Sequence, residues 1–398
     1  MSDRPLIAHV LYRLDTGGME RVVVSLVNAT RDRYRHAVIS LTGFGELRQE
    51  IEDSVTAFVS LQKKPGKDWA CYFRFWRALR ALKPDLVQTY NIGTLDLAPI
   101  VKLAGVRRLV HAEHGRDAAD PAGDERKYQQ LRRCMAPLIS RYVAVSEDLR
   151  TWLTQRVGIS QSKVIHIANG IDTALFDVPR STPRVRNLLG SFAPTGSMLI
   201  ANVARLDQVK DHAGLLVAFK LLREADGSSN AGCRLIIAGD GPQRGALARQ
   251  VAELGLTDSV RLLGNRRDVA QLLAECDVFV LSSIAEGMPI TVLEAMAAGL
   301  PVVATNVGDL ASVVDAGVTG TLVPPRDAPA LAAALGRYVA DEKLRRRHGD
   351  AGRARVAGQF GLRTMVSAYV ALYDDLLGRP SSAAQPHVIP GLTGHKEN

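Results

Sequence analysis

The sequence predicts an α/β protein with two lobes, each built around a parallel sheet. Short apolar runs alternate with amphipathic stretches along almost the whole chain, which is the pattern of repeated βα units. The chain has 398 residues. That is the length of two domains, since one domain typically holds about 100 to 200 residues. Asn169–Ser197, rich in proline, serine and glycine, is the predicted linker. We therefore expect one lobe over 1–178 and a second over 195–359.

Six apolar runs in each lobe are predicted to be strands. In the first lobe they are LIAHVLY, HAVISLT, VTAFVSL, PDLVQTY, RRLVHAEH and SRYVAVS. In the second lobe they are SMLIANVA, CRLIIAGD, SVRLLG, CDVFVLSS, LPVVAT and GTLVPP. Because ligands of open α/β folds bind outside the carboxyl ends of the strands, we expect both sheets to face a central cleft.

The end of the chain is predicted to be helical to about Gly378. Phe360–Leu377 is a long amphipathic stretch that the second lobe does not require, so 360–378 is treated as a separate helix. The tail over 379–398 is polar and contains proline, and we expect it to be disordered.

Composition narrows the class of protein. Hydrophobic residues make up 46% and charged residues 23%, as in an ordinary globular protein. No apolar run is long enough for a transmembrane helix, and the first residues lack a signal peptide's apolar core. The four cysteines form no CxxC pair, which favours a reduced cytosolic protein without disulfides or zinc. The net charge of +9 favours an anionic partner, which could be nucleic acid, a membrane surface or a phosphorylated substrate.

The stretch AEGMPITVLEAMAAGLPVVAT carries the strongest candidate site. Pro289 is predicted to open a helix that ends at Gly299, and the first amides of that helix would form an anion site suited to phosphate. Glu286 and Glu294 lie on either side of the helix start, where a carboxylate would repel phosphate but accept hydroxyl groups. They would suit a ribose and a sugar flanking a diphosphate. The alternative is that the helix dipole alone favours glutamate there.

Two cations are predicted at another strand end of the second lobe. In NVARLDQVKDH, Arg205 and Lys210 follow the first strand and could neutralise a leaving diphosphate. A solvated pair of loop cations is the alternative. Gly239 marks a sharp turn after the next strand, and Asn265 with Arg266 follows a further strand, where this loop could line a base pocket.

The first lobe contributes two weaker signals. Gly17 and Gly18 follow the first strand and would let the backbone approach a bulky ligand, although an ordinary tight turn explains them equally well. In HAEHGRD, His114 could hydrogen-bond a sugar hydroxyl or be structural, and Asp117 could touch a second substrate. The histidine spacing is not that of a zinc site.

In chain order, TGGME, EHGRD, VAVSEDL, NGID, VARLDQVKD, AGDGP and the glutamate stretch resemble the retaining family 4 glycosyltransferases of the GT-B fold. The resemblance implies two Rossmann-like lobes, no metal or other cofactor, and a nucleotide-diphosphate sugar bound chiefly in the second lobe. Arg205 and Lys210 would hold the diphosphate, and Glu294 would accept from the ribose. The donor sugar and phosphates would be surrounded by Glu286, Gly287, Met288, Pro289, Ile290 and Thr291. His114 and the Gly17–Gly18 backbone would approach from the first lobe, onto which the C-terminal helix would cross back.

Sequence segments such as HAEHGRDAADPAGDERKYQQLRR resemble those of a narrower group, the sugar transferases associated with bacterial exosortase and extracellular-polysaccharide loci. This resemblance implies a cytosolic, hexosyltransferase-like enzyme that builds a lipid-linked glycan. We expect transfer with retention. The acceptor hydroxyl would attack the face that the nucleotide leaves, and no carboxylate is positioned as a nucleophile.

ACYFRFWRALRALK predicts an amphipathic helix that could contact a membrane. Tyr72, Phe75, Ala78, Leu79 and Leu82 share its apolar face. Arg74, Trp76, Arg77 and Arg80 fall on the other face, where they would suit an anionic bilayer surface. The alternative is a surface helix whose arginine stems cover apolar neighbours. The other basic run, Lys343–Val356, has no aromatic platform, so nucleic acid is not an expected partner.

Two rival functions stay open. A nucleotide-sugar epimerase or hydrolase could use the same donor site without an acceptor. A non-catalytic sugar-nucleotide sensor or scaffold could bind the donor without turning it over. A nicotinamide dehydrogenase is disfavoured because neither lobe has a convincing GxGxxG after its first strand.

Overall fold

A computed structural model of the chain describes residues 4–15, 17–51, 56–116, 120, 122–178, 187–194, 196–225 and 232–380. The chain forms two compact units. Unit 1 comprises Met1–Gly170 and Leu362–Asn398, and unit 2 comprises Ile171–Gly361. The division after Gly170 comes before the expected lobe end at 178. The centre of the predicted linker, 179–186, and nearly all of the tail predicted to be disordered, 381–398, lie outside the described residues.

Unit 1 is built on a seven-stranded sheet in which every pair of neighbours is parallel, in the order β3-β2-β1-β4-β5-β6-β7. Its strands are β1 Leu6–Leu11, β2 Arg35–Ser40, β3 Thr56–Ser60, β4 Leu86–Tyr90, β5 Arg108–Glu113, β6 Arg141–Ala144 and β7 Val164–His166. Its first five helices are α1 Gly18–Thr30, α2 Trp69–Leu82, α3 Ala98–Leu103, α4 Arg126–Met135 and α5 Glu147–Thr151, the last continuing as a π-turn over Trp152–Arg156.

Unit 2 is built on a six-stranded parallel sheet in the order β10-β9-β8-β11-β12-β13. Its strands are β8 Met198–Val203, β9 Cys233–Ala238, β10 Val260–Gly264, β11 Val278–Leu281, β12 Val302–Thr305 and β13 Gly320–Val323. Its helices are α6 His212–Glu224, α7 Arg244–Glu253, α8 Val269–Ala274, α9 Ile290–Ala297, α10 Leu310–Val313, α11 Ala328–Ala340 and α12 Glu342–Gln359. The chain then returns to unit 1 as α13, Leu362–Leu377.

The predicted fold class is confirmed, and all twelve predicted strands are present. Parallel strands buried on both faces appear in sequence as continuous apolar runs, and β1, β4, β11 and β12 are buried along their whole length. The prediction missed β7, a strand of three residues at the sheet edge whose last residue, His166, is exposed. A half-exposed segment of three residues is too short to show the apolar pattern by which a strand is predicted.

The same kind of hydrogen bond, from a backbone N–H to an aspartate carboxylate, occurs at the amino edge of both sheets. In unit 1 the carboxylate of Asp85 accepts a hydrogen bond from the Leu6 backbone N–H at 2.8 Å. In unit 2 the carboxylate of Asp277 accepts one from the Leu199 N–H, also at 2.8 Å. Each aspartate precedes the strand next to the first strand of its unit. It therefore satisfies an N–H at the amino edge of the sheet that would otherwise lack a partner.

The core of unit 1 contains a row of buried polar rings. His9 Nδ1 lies 2.7 Å from Tyr90 Oη, and His9 Nε2 lies 3.1 Å from His36 Nδ1. The other His36 nitrogen lies 3.0 Å from Thr30 Oγ1. Burial lowers the pKa of His9 well below its ordinary value and that of His36 to about 4, so both rings are neutral at physiological pH.

Helix α13 is fastened to unit 1 by a buried carboxylate. Asp374 has no exposed surface and accepts hydrogen bonds from Tyr34 Oη at 2.8 Å and from the Arg33 guanidinium. Tyr373 of the same helix donates a hydrogen bond to the buried Gln88 of β4. Because a buried charge needs a partner, these contacts specify where the helix lies on the unit.

Candidate functional site

The candidate site of unit 2 forms where β8 and β11 end, since these adjacent parallel strands deliver their following loops to the same edge of the sheet. The backbone N–H of Ile284 donates to Val209 O at 2.8 Å. Ser282 Oγ donates to Lys210 O at 2.9 Å or to Asp211 O at 3.1 Å. These contacts tie the loop that carries Lys210 to the loop that carries Glu286.

Lys210 and Glu286 form a close ion pair. Lys210 Nζ lies 2.5 Å from Glu286 Oε1, and Ser283 Oγ donates to the same oxygen at 2.6 Å. The lysine side chain is 21% exposed and the glutamate side chain 7%. An ammonium group has three donor hydrogens, so one bond to Glu286 leaves two for another acceptor.

Arg205 lies at the start of the same loop, and its side chain is 68% exposed. Its Nε is 3.9 Å from an Asp207 carboxylate oxygen, which is too long for a hydrogen bond. The guanidinium is therefore accessible to an anion, whereas Lys210 is held by Glu286.

Helix α9 begins one residue later than predicted, at Ile290, with Pro289 as its N-cap in an extended conformation. The helix has no side-chain cap, as proline cannot provide one. Met288 and Ile290 are buried as whole residues, so their side chains are not available to a ligand. Glu294 lies in the second turn of the helix and is 8% exposed.

The segment around Glu286 is supported by residues that the sequence analysis did not identify. Gly308 has a φ of +56°, and a Cβ there would lie 2.1 Å from the Glu286 carbonyl oxygen. The next residue, Asp309, donates its backbone N–H to Gly287 O at 3.2 Å, and Thr305 Oγ1 donates to Ser283 O at 2.6 Å. The glycine that follows the predicted strand LPVVAT was the available signal.

Gly239 has a structural role at the neighbouring strand ends. Its φ is +141°, and a Cβ would lie 1.9 Å from Ala204 O, so only glycine allows the loops after β8 and β9 to come this close. Its N–H donates to Gly264 O at 2.8 Å. Asn265 follows and is exposed, while Arg266 Nε donates to Asp268 at 2.7 Å. The guanidinium of Arg266 is thus held by a neighbouring carboxylate.

A cavity of about 570 Å³ lies beside the Lys210 loop within unit 2. Its lining includes Gln208, Asp211, Ser282, Thr305 and Arg326. The predicted donor-binding residues do not contribute to the lining. The cavity therefore adjoins the loop of Lys210, but neither Lys210 nor Glu286 lines it.

Gly17 and Gly18 lie at the start of α1 in unit 1. Gly17 is the N-cap, and its φ of −174° is ordinary extended backbone, so the conformation itself does not require glycine. A Cβ at Gly17 would lie 2.2 Å from Glu20 Oε2, at the end of a flexible side chain. The atoms that come closest to Gly17 therefore belong to Glu20 of the same helix, α1.

His114 follows β5 at the carboxyl edge of the unit 1 sheet. Its backbone N–H donates to Asn91 Oδ1 at 2.7 Å. Both ring nitrogens are buried and have no hydrogen-bond partner among the residues that the structure describes. Burial lowers the pKa of His114 to about 4 although the neighbouring Glu113 opposes the shift, so the ring is a neutral imidazole. Asp117, predicted on the acceptor side, lies outside the described residues.

A buried ion pair that the sequence did not reveal involves Glu113, the residue that precedes His114. Glu113 accepts hydrogen bonds from Arg132 at 2.6 and 3.1 Å, and His111 Nε2 lies 3.2 Å from the same carboxylate. Burial alone would raise the pKa of Glu113, but Arg132 and His111 lower it to about 2. Arg132 belongs to α4 in an otherwise exposed basic run, which conceals its role in the sequence.

The exposed face of α2 differs in part from the predicted one. Arg74 donates to Leu61 O and to the Asp68 carboxylate, each at 2.7 Å, and its side chain is still 37% exposed, so its membrane contact stays a prediction. Aromatic residues are also exposed on this helix: Trp69 is 76% exposed and Phe73 58%, and Phe73 stacks on the half-buried Trp76. We call Trp69, Phe73 and Trp76 the α2 ridge.

Arg77 and Arg80 are exposed on the same helix, as expected. Cys71, Phe75 and Leu79 form the buried face. Within the part of the chain that the structure describes, no helix is both long enough and apolar enough to cross a bilayer.

Two family models match successive parts of the chain. The model described as Glycosyltransferase Family 4 matches residues 16–175, and the model described as Glycosyl transferases group 1 matches residues 190–355. The first match lies almost wholly in unit 1, and the second lies in unit 2.

Individual relatives match over much of the chain. An exopolysaccharide phosphotransferase of Streptomyces coelicolor is 30% identical over 76% of this chain, but the chain spans only 30% of that protein's length. The Escherichia coli UDP-Gal:alpha-D-GlcNAc-diphosphoundecaprenol alpha-1,3-galactosyltransferase is 26% identical, over 93% of this chain and 97% of its own.

A solved structure shares the fold over both units. The crystal structure of Anabaena HepE in complex with UDP and glucose has a TM-score of 0.80 and 21% identity, covering 94% of this chain and 100% of that one. The two α/β units, their parallel sheets and the two successive family matches lead to one assignment. The chain belongs to the glycosyltransferases of the GT-B fold, with a family 4 region in unit 1 and a group 1 region in unit 2.

Proposed function

We propose that the protein transfers a sugar from a nucleotide-diphosphate donor to a glycan or lipid-linked acceptor. The observation that carries the proposal is the Lys210–Glu286 pair at the start of the uncapped helix α9. The glycosidic bond from the sugar to the diphosphate breaks, and a bond from the acceptor oxygen to the same carbon forms. Negative charge develops on the departing diphosphate. Its stabilisation is the largest electrostatic need of the reaction.

Unit 2 offers several positive groups for this charge. Lys210 keeps two donor hydrogens, Arg205 is exposed on the same loop, and the first amides of α9 add the positive end of the helix dipole. Together these groups could supply the charge that a metal ion supplies in other transferases, so we propose a metal-independent reaction. Glu294, buried on α9, is proposed to accept from the ribose.

Glu286 is proposed to orient the donor sugar. Both of its recorded hydrogen bonds use Oε1, so Oε2 can accept from a sugar hydroxyl. The contact with Lys210 neutralises much of the carboxylate charge, which makes Glu286 a weak nucleophile. We therefore propose attack by the acceptor on the face that the diphosphate leaves, with retention, and the departing phosphate takes the acceptor proton.

The donor and acceptor classes are supported by the relatives. The Escherichia coli relative is named for UDP-Gal and a diphosphoundecaprenol acceptor, and the Anabaena structure holds UDP and glucose. On this basis and on the resemblance to exosortase-associated transferases, we propose a UDP-sugar donor. The proposed setting is extracellular polysaccharide biosynthesis in the cytoplasm of a bacterium.

Product analysis tests the function against both rivals. Purified protein is incubated with UDP-, GDP- and ADP-sugars in EDTA, with and without undecaprenyl-diphosphate-linked sugar. We expect a glycosylated lipid that forms only with acceptor, with the donor's anomeric configuration by NMR. Equal consumption of donor without acceptor would identify a hydrolase or epimerase. Donor binding without turnover under any condition would identify a sensor or scaffold.

We also propose that the protein attaches to the cytoplasmic face of the plasma membrane through the α2 ridge. Trp69, Phe73 and Trp76 present aromatic surface, and Arg77 and Arg80 lie beside them on the same helix. Aromatic groups favour the bilayer interface, and arginines are attracted by anionic headgroups. The occupant we expect is therefore an anionic bilayer.

Liposome flotation tests the attachment. With vesicles containing phosphatidylglycerol, Phe73→Ser with Arg77→Glu and Arg80→Glu should lower the floated fraction at least fivefold. Phosphatidylcholine vesicles should float little of either protein. Arg346→Glu with Arg347→Glu changes the same number of arginines on α12 and should leave flotation unaltered. Equal flotation of the α2 and α12 variants would refute the proposal.

A further inference from the structure

Asn91 occupies a backbone conformation that few residues adopt. It directly follows β4, with φ +53° and ψ 173°. A residue with a side chain meets steric strain at such a positive φ combined with an extended ψ, and this region is essentially reserved for glycine. Such strain persists only where the surrounding structure holds the residue in place.

Contacts on every side hold Asn91 in this conformation. Its N–H donates to Ala112 O on β5 at 2.8 Å, and its carbonyl accepts from the Thr94 N–H at 3.2 Å. Thr94 Oγ1 also lies 2.8 Å from Tyr90 O, so it closes the turn around the end of β4. The peptide on both sides of Asn91 is thereby fixed.

The strained backbone directs the carboxamide towards two neighbouring loops. Asn91 Oδ1 accepts from the His114 backbone N–H at 2.7 Å, in the loop after β5. Its Nδ2 lies 3.4 Å from Met19 Sδ, in the first turn of α1 beside Gly17 and Gly18. The strand order β1-β4-β5 places Asn91 between these two loops.

The hydrogen bond from the His114 backbone N–H to Asn91 matters because the His114 imidazole has few other contacts that could fix its orientation. Since neither ring nitrogen has a partner within the described part of the chain, no side-chain hydrogen bond there holds the ring in place. The backbone N–H of His114 is hydrogen-bonded to Asn91, and the His114 ring packs against the Tyr90 ring, with the centroids 5.7 Å apart. A change at Asn91 should therefore be transmitted directly to the ring.

We propose that Asn91 is a positioning residue that sets the orientation of the His114 ring for a hydrogen bond to a sugar hydroxyl and aligns the His114 loop with the start of α1. This inference rests on the proposed function and on the expectation from the sequence that His114 hydrogen-bonds a sugar hydroxyl. Asn91 itself need not touch the substrate. The Asn91 carboxamide acts through its contacts with the His114 loop and with Met19 of α1. The strained backbone of Asn91 determines where the carboxamide points.

Three variants at one position separate the side chain from the backbone. Asn91→Ala removes both amide contacts, and Asn91→Gly removes them while relieving the strain. Asn91→Asp keeps the oxygen that accepts from the His114 N–H. The His114 ring is observed by ¹⁵N NMR at pH 8, where the ring is neutral, with His114→Gln identifying its signals. We expect displaced His114 signals in the alanine and glycine variants and signals close to wild type in the aspartate variant.

Kinetics provide the second readout. We expect kcat for sugar transfer to fall at least tenfold in Asn91→Ala and Asn91→Gly and less than threefold in Asn91→Asp. The Kd for UDP, which has no sugar, should stay within twofold. Asn28→Ala removes another asparagine contact of unit 1, to Glu50 O, and should change neither readout. Thermal unfolding curves establish that each variant is folded.

Specific outcomes would overturn the inference. Wild-type His114 signals in Asn91→Gly, or an aspartate variant as impaired as the alanine variant, would show that Asn91 does not act through His114. A loss of UDP affinity equal to the loss of kcat would show general damage. If wild type transfers no sugar, the proposed function fails, and the NMR comparison still decides whether Asn91 orients His114.

Discussion

Replacement of Lys210 by alanine should lower kcat/KM for donor transfer by about 10²- to 10³-fold, the range found when one charge-stabilising donor is removed. Two effects combine. The departing diphosphate loses a cation, and Glu286, whose side chain is only 7% exposed, loses its counter-ion. Steady-state kinetics with the preferred UDP-sugar measure the total loss. Arg205→Ala should have a smaller effect, because that side chain is 68% exposed and its charge is more strongly screened by water.

A double variant separates the two effects of Lys210. Glu286→Gln removes the negative charge that Lys210 neutralises while it keeps the shape of the side chain. If Lys210 served only to neutralise Glu286, Lys210→Ala with Glu286→Gln would recover activity. We expect no recovery and a Kd for UDP raised in both Lys210 variants. Near-normal kinetics in Lys210→Ala, or full recovery in the double variant, would contradict the assignment.

Arg132→Met should lower the free energy of unfolding by about 3 to 5 kcal/mol, the usual cost of leaving a buried charge without its partner. Methionine has a similar length, so little packing is lost, but Glu113 has no exposed surface on which to meet water. Urea denaturation at pH 7.5 measures the loss. Arg133→Met is the matched control, since that side chain is exposed and, within the described residues, hydrogen-bonds a backbone carbonyl, Val157 O, and no carboxylate.

The loss in Arg132→Met should depend on pH. In the native protein the pKa of Glu113 is lowered to about 2, below its unfolded value near 4.5. Its contribution to stability is therefore present above pH 4.5 and disappears as the pH falls towards 2. The difference between Arg132→Met and wild type should shrink between pH 7 and pH 4, because the variant can bury a neutral Glu113. Adding Glu113→Gln to Arg132→Met should restore part of the stability at pH 7.5. A difference independent of pH would contradict the role of the ion pair.

The fold was predictable because most strands are buried on both faces. Runs such as LIAHVLY and CDVFVLSS are continuous and apolar, and they matched β1 and β11 within about two residues at each end. The pattern was weaker for α2. Its helical period correctly predicted that Phe75 and Leu79 are buried, but the direction of the Arg74 side chain depends on Leu61 and Asp68, which periodicity does not include.

The candidate site was predictable in its position more than in its contacts. Charged and glycine residues after apolar runs indicated the carboxyl edges of both sheets, where Lys210, Glu286 and His114 lie. The pairing of Lys210 with Glu286 joins residues 76 positions apart in the chain, and the sequence alone assigned the two residues separate roles. Asn91 gave no signal because its strained φ is a property of the folded backbone.

The buried Asp374 of α13 bears on how the protein is synthesised. Unit 1 is discontinuous in the chain: the partners of Asp374, Arg33 and Tyr34, are translated more than 300 residues before it. Unit 2 is one uninterrupted segment and can complete its sheet while still near the ribosome. The surface that α13 covers stays open to chaperones, or to aggregation, until α13 itself emerges from the exit tunnel.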